Sequence, residues 1–262
     1  MADLHVPPLQ AEPVLHVGGF AITNSILLTW IAMAVLLGFL YIAVRRPRLV
    51  PVGAQNAIEA VFEGFRGLVL GVMEDEKRTD RFLPLVLGIF FFVLAVNWVS
   101  LIPGVGTVGG FEDGEFVPLL RAGSSDLNLT LALAAVSFLV AQVVGILTIG
   151  IFKYGGKFIN FRTLFKRPFH IKNVLLFVPN FLLGLIELIS ELAKLVSLSF
   201  RLFGNVLAGE VLLVVFGFLL PVFIPLSSPF YILEIFVGLI QAFVFAMLTI
   251  VFIRIAALDP EH

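Results

Sequence analysis

The chain has 262 residues, of which 60% are apolar and 13% charged, with a net charge of −1 and no cysteine. An apolar share so far above the rough half of a soluble domain, with a mean hydropathy of +1.08, makes lipid the solvent. The near-zero net charge leaves no basic field for nucleic acid, and the missing thiols exclude a disulfide framework, a cysteine nucleophile and a zinc-thiolate site.

Residues 1–20 read as an extracytoplasmic tail that carries Asp3 and Glu12 but no Lys or Arg. The first long apolar run starts only near Phe20, so no cleaved signal peptide is expected. A helix needs about 20 apolar residues to cross the hydrocarbon, and charge-free runs of that length fall at 21–44, 82–102 and 127–152. Between the first two, 55–73 is amphipathic: Ile58, Val61, Phe62, Phe65, Val69 and Val72 share one face, opposite Gln55, Glu59, Glu63 and Arg66. It reads as a helix along the inner interface, in which Gly64, Gly67 and Gly71 either permit close packing or are ordinary loop-like glycines. Residues 174–220 form a stretch of about 47 residues, roughly 70 Å as one helix against a core of about 30 Å. It crosses once, tilted or bent, or it crosses twice. A last span is expected at 229–258 although it contains Glu234, followed by a short tail at 259–262.

Lys and Arg in short loops stay on the cytoplasmic side. Arg45, Arg46, Arg48, Arg66, Lys77, Arg78 and Arg81 separate the first two spans, and Lys153, Lys157, Arg162, Lys166, Arg167 and Lys172 follow the third. Both loops are therefore expected inside. The segment from Pro103 to Asp126 sets Glu112, Asp113, Glu115 and Asp126 against the single Arg121, and is expected outside. With the N-terminus outside and Arg254 near an inner C-terminus, the number of crossings must be odd. The expected fold is an all-α membrane domain over 21–258 with five spans and one interfacial helix, the long helix crossing once. Gly104 to Gly110 reads as a turn-forming loop, and His5, His16, His170 and His262 are too scattered for a metal site. No cofactor is expected.

Ionisable groups at membrane depth cost about 2.5–3.5 kcal/mol each on insertion scales, so they mark partners or function. Glu187, Glu191, Lys194, Arg201 and Glu210 lie on the long helix and Glu234 on the last. At helical spacing Glu187, Glu191, Lys194, Arg201 and Asn205 fall within a sector of roughly 80°, with Glu210 well outside it. Glu191 and Lys194 are either functional or a structural i,i+3 pair. Glu234 and Gln241, seven apart, share a face of the last helix. Depth follows from orientation: Glu187 and Glu191 inner, Arg201 deeper, Glu210 and Glu234 outermost. Carboxylates thus enter from both faces with a permanent cation between them, and a guanidinium does not relay protons. Such a chain conducts only if a second subunit, with its own buried carboxylate, carries the ion past Arg201.

The segment Ser197-Leu-Ser-Phe-Arg201-Leu-Phe-Gly-Asn205-Val-Leu-Ala-Gly-Glu210 closely resembles the signature of subunit a of F-type ATP synthases. Glu187 to Lys194, Gln241 to Thr249, Asp126-Leu-Asn128-Leu-Thr130 and Asn97 ahead of Pro103 are similar to the same family. The resemblance implies a stator in the bacterial cell (inner) membrane with two offset half-channels. Arg201 is then the essential group that faces the carboxylate of a c-ring. Glu210 and Glu234 line the outer half-channel, Asn205 and Gln241 stand near the Arg, and Glu187 lies at the inner one with Glu191 and Lys194 beside the path. The implied partners are the c-ring, peripheral-stalk b subunits, lipid and protons; the chain itself is no enzyme. Two departures are Glu234, where some members have His, and Ser100, where others have Asp. A stand-alone ion-coupled secondary transporter is the alternative, but inverted repeats and broken helices are missing.

Overall fold

The computed structural model describes residues 11–112, 115–158, 171–219 and 224–258. The first ten residues, Asp113, Arg162, Lys166, Arg167, His170 and the tail 259–262 lie outside them. In chain order the elements are β1 (Pro13–Val17), β2 (Phe20–Thr23), α1 (Asn24–Val44), α2 (Ala54–Met73), α3 (Glu76–Ser100), β3 (Pro103–Gly106), β4 (Gly109–Glu112) and β5 (Glu115–Pro118). A 3-10 turn (Gly123–Ser125), α4 (Leu127–Ile149), α5 (Ile151–Phe158), α6 (Ile171–Leu219) and α7 (Ile224–Ala257) follow. Five helical segments are long and apolar enough to cross a membrane: α1, α3, α4, Leu182–Phe216 within α6 and Pro229–Ala257 within α7. That meets the expectation of five spans.

Local chemistry explains where these helices begin. Asp75 caps α3 by accepting from the amides of Lys77 at 2.8 Å and Arg78 at 3.3 Å, so the helix starts six residues before its apolar run. Asp126 caps α4 through the Asn128 amide at 2.9 Å and accepts a second bond, at 2.7 Å, from the Ser25 hydroxyl on α1. One carboxylate thereby starts one span and ties it to another. At its inner end α4 stops at Gly150, whose φ of +90° suits a residue without Cβ, and the chain turns into α5. The question left open at 174–220 resolves as one uninterrupted helix of 49 residues, α6, with Pro179 inside it.

Around α7 the core is closed. Ala242, Phe245, Ala246, Ile250 and Ile253 have no exposed surface, and α7 packs against α3, α4, α6 and α2. Small partners let the backbones approach, since lipid tails supply no hydrophobic drive between helices. Ala134, Ser137 and Ala141 face it from α4, and Thr249 donates to Ser137 Oγ at 3.1 Å. Thr130 and Ser199 join α4 to α6 at 3.2 Å.

Helix α2 docks on this bundle through Phe65, Val69 and Met73, with the Phe65 ring 4.7 Å from Phe90 and 5.7 Å from Phe243. Phe62 and Leu68 remain exposed on it. An added Cβ at Gly64, Gly67 or Gly71 meets nothing within 4 Å, so those glycines are not close-packing sites. Glu74, in the left-handed region at φ 56°, ends α2, and Arg254 near the end of α7 clamps that corner. Its guanidinium donates to the Met73 carbonyl and to Glu74, both at 3.0 Å.

Two antiparallel ribbons, β1 with β2 and β4 with β5, are additions the apolar pattern did not announce. The first turns at Gly18-Gly19, both with positive φ. Asp126→Ala removes a cap worth about 1–2 kcal/mol and leaves Ser25 without its acceptor. Thermal unfolding of the detergent-solubilised protein is expected to shift down, and far less for Asp126→Asn.

Candidate ion path

The end of the bundle expected to face outside is plugged by its own loop. Residues 121–126 are all buried, held by Ser124 donating to Asn97 Oδ1 at 2.9 Å, by Asn24 donating to the Pro118 carbonyl at 3.1 Å and by the Ser25 to Asp126 bond. Beside this plug lies a cavity of about 480 Å³, lined by Arg121, Glu210, Glu234, Tyr231, Ser100 and Val206 among others. The two outer carboxylates expected from the sequence are thus brought to one space, Glu210 from α6 and Glu234 from α7.

Each carboxyl sits there for a local reason. Glu234 rests its carboxylate directly against the backbone of Gly209, where an added methyl would overlap it. Glu210 turns toward the plug, where the Ser125 hydroxyl stands at hydrogen-bonding distance from its carboxyl. Its Oε2 is buried with no partner among the described residues. Arg121 is 1% exposed and donates from Nε to Ser125 Oγ at 3.2 Å.

One helical turn deeper, Asn205 on α6 donates to Gln241 Oε1 on α7 at 2.8 Å. Gln241 is buried, and its Nε2 has no acceptor among the described residues. Asn97 closes the same region by donating to the Gly238 carbonyl at 3.4 Å, with the Trp98 indole on the Ile235 carbonyl at 3.1 Å. Ser100 bonds back to the Asn97 carbonyl at 2.6 Å on its own helix.

Arg201 lies near the middle of the apolar stretch Leu182–Phe216 and is exposed, flanked by the exposed Val196 and Phe200. Among the described residues no hydrogen bond or ion pair reaches its guanidinium. The expected polar stripe therefore splits along α6. Asn205 leans to α7, Arg201 faces outward, and Glu191 turns inward to α4.

On the inner side Glu191 is 7% exposed and collects donors. Lys194 Nζ lies 2.7 Å from Oε1, Gln142 Nε2 donates to Oε2 at 3.3 Å, and the Tyr154 hydroxyl on α5 donates to Gln142 Oε1. Lys194 also stands 5.8 Å over the Phe252 ring. Burial, then the charges of Glu191 and Glu187, push the Tyr154 phenol up to about 12. Gly145 makes the room for that ring, since a Cβ there would run into Tyr154 and the Ala256 carbonyl. Glu187 is half-buried one turn nearer the inner end.

The sequence reading did not assign Arg121, Gly209, Tyr231, Gln142 or Tyr154 to the path. A lone cation in an acidic outer segment was the available signal for Arg121, and a lone amide in an apolar span was the one for Gln142. Nothing in the spacing points to Gly209, because its role depends on which residue of α7 lies across from it.

A bundle with polar groups reaching in from both ends and, among the described residues, a cation without a partner between them defines a multi-pass membrane protein of the ion-conducting class. Residues 26–254 match the family model described as ATP synthase A chain. The chain is similar to ATP synthase subunit a of Moorella thermoacetica, 32% identical over 249 residues, 95% of this chain and 96% of that one. It is 38% identical over 221 residues to that of Campylobacter fetus, 84% of each chain. For Trichlorobacter lovleyi the identity is 32% over 253 residues, 97% of this chain and 94% of that one. The chain belongs to the ATP synthase A chain family, the proton-translocating stator subunits of the membrane Fo sector. This sets aside the stand-alone transporter and makes it the channel subunit of that complex.

Gly209→Ala is expected to leave the complex assembled but displace the Glu234 carboxylate. ATP-driven pumping then falls by roughly tenfold or more, as for other small misplacements of a reacting group, with partial recovery when Glu234→Asp shortens the opposing side chain. Because the phenol is raised above its usual 10.0, the Tyr154 contribution to stability is whole below about pH 10 and is lost as pH climbs through about 12. A difference absorption titration against Tyr154→Phe should show phenolate forming only at the upper end of that window.

Proposed function

We propose that Arg201 is the barrier between two dead-end proton inlets and that it acts on a carboxylate carried by a rotating c-ring. The single observation behind this reading is its exposure in mid-span without a partner on its own chain, among the described residues. An exposed guanidinium facing hydrocarbon alone is costly, and it does not escape by losing its proton. A membrane-embedded carboxylate on a neighbouring subunit satisfies it.

Protons enter from outside through the cavity shared by Glu234 and Glu210 and neutralise a ring carboxylate near Asn205 and Gln241. A neutral acid turns into lipid at far lower cost than its anion. After nearly a full turn the acid meets the inner inlet near Glu187, releases its proton and is drawn to Arg201 as an anion. Each charge crossing the membrane potential supplies about 2.3 kcal/mol per 100 mV. The long helix α6 is the tilted one that follows the ring, and peripheral-stalk b subunits hold the stator against the torque. The inside loops, inner C-terminus and outer N-terminus follow from the distribution of Lys and Arg, in a bacterial inner membrane.

Arg201→Gln is expected to abolish ATP-driven acidification of inverted membrane vesicles while the c-ring still co-purifies, with passive leak retained or increased. Pumping at the parental rate in such vesicles defeats the barrier role.

A further inference from the structure

We infer that the cleft at the expected inner end of the bundle, walled by α3 and α4 and floored by α7, holds one anionic phospholipid. Its phosphate rests on Arg78 and Arg81, and an acyl chain runs along α4. The site is separate from the ion path, since none of the residues given a part in proton movement lines it. The cleft encloses about 140 Å³ and is lined by Arg78, Arg81 and Phe82 from the start of α3, by Leu147 and Thr148 from the end of α4, and by Ile253 from α7, among others. Both walls pack against α7. The spans themselves fix its depth. The charge-free run of α3 starts at Phe82 and α4 ends at Ile149. Arg78 and Arg81 therefore sit where hydrocarbon gives way to headgroups, whichever side of the membrane this end faces.

Both ionisable groups in the lining are cations, three residues apart on one face of α3. Arg81 has no hydrogen bond or ion pair among the described residues. Arg78 reaches Asp75 Oδ2 from Nε at 3.7 Å, beyond hydrogen-bonding distance. The neighbouring acids are committed elsewhere: Glu74 to Arg254 at 3.0 Å, Asp80 to Arg66 at 3.1 Å, and Asp75 to the amides of Lys77 and Arg78. Glu76 is exposed and, like those three, does not line the cleft. A phosphodiester supplies the oxygens that two guanidinium forks call for, and basic pockets between spanning helices are where anionic headgroups bind. No carboxylate lines the cleft, among the described residues, to receive the ammonium of a zwitterionic headgroup. The apolar side of the site selects lipid over free phosphate. Leu147, 73% exposed at the rim, begins a row with Val143, Leu139 and Val136 on one face of α4, all exposed. That row leads an acyl chain from the cleft toward the middle of the membrane.

The test places the whole ATP synthase complex containing this chain in phosphatidylcholine vesicles with increasing mole fractions of a phosphatidylglycerol that carries a photoreactive acyl chain. Labelled peptides are then mapped by mass spectrometry. Saturable labelling of the peptides around Leu147 is expected, and labelling that rises linearly with mole fraction overturns the site. Arg81→Gln is expected to raise the half-saturating mole fraction roughly fivefold, and Arg81→Lys, which keeps the charge but not the fork, by less. Lys77→Gln removes an exposed cation outside the lining and is expected to change nothing. An unshifted Arg81→Gln curve, or an equal shift in Lys77→Gln, replaces the site with a diffuse surface attraction. If Arg81→Gln does not assemble, Leu147→Trp takes its place: it obstructs the rim while both Arg remain, and parental labelling in it overturns the inference. Inorganic phosphate in the aqueous phase is expected not to displace the label. Displacement assigns the cleft to free phosphate and removes the lipid.

Discussion

A guanidinium in the middle of an apolar span is the constraint around which this chain is organised. It stays ionised at every accessible pH and is poorly served by hydrocarbon, so it needs an anion. Among the described residues the chain supplies none. Lys194 pairs with Glu191, and Arg254 pairs with Glu74 at the corner after α2. Glu191 is pointed away from Arg201 by Gln142 and Lys194, and Glu210 is turned toward the outer plug. What remains at Arg201 is an exposed guanidinium at mid-span without a partner among the described residues, and the barrier role proposed for it rests on that.

Holding these groups apart is a packing problem, and α7 solves it. Thr249 bonds Ser137, and the small residues Ala134, Ala141, Ala242 and Ala246 are buried in the same core, so α4 and α7 pack through small side chains and α7 forms a central post. Gln241 and Glu234 are fixed on that post, one facing Asn205 and the other Gly209. The outer loop contributes as much as the helices do. Residues 121–126 are held in the bundle by the Ser124 hydroxyl on Asn97 and by Ser25 on the Asp126 carboxylate, with Asn24 fastening the nearby Pro118 carbonyl, which lets a short irregular segment carry a cation into the bundle. At the inner end the bond from Tyr154 to Gln142 plays the corresponding part, fastening α5 to the groups around Glu191.

Much of this was legible before any coordinates. Spans are set by a length and by the absence of charge, and both are local properties of the chain, so five crossings could be read directly. Arg201, Glu210, Glu234 and Gln241 stood out because a charge or amide in an apolar run is conspicuous without knowing its neighbours. The uninterrupted α6 was harder. Its length exceeds one membrane thickness, and a single crossing was favoured over two by charge parity and by the absence of Gly, Pro or Asn at 196–199. The ribbons at 13–23 and 109–118 went unread because their turns, rich in glycine, look the same in sequence as a plain loop.

The sequence by itself determined that the chain lives in lipid, which runs cross it, and which side chains are conspicuous there. Those conclusions depend on residue type and spacing along one chain. Tertiary structure alone decided that Arg121 and Glu210 line one cavity, that Gly209 is the seat of Glu234, that Glu191 turns to α4 while Arg201 is exposed, and that Tyr154 closes the cluster around Gln142. Each of these is a meeting of residues distant in sequence, fixed by how helices rotate and approach when packed, and helical periodicity gives a residue's face without naming what lies across from it.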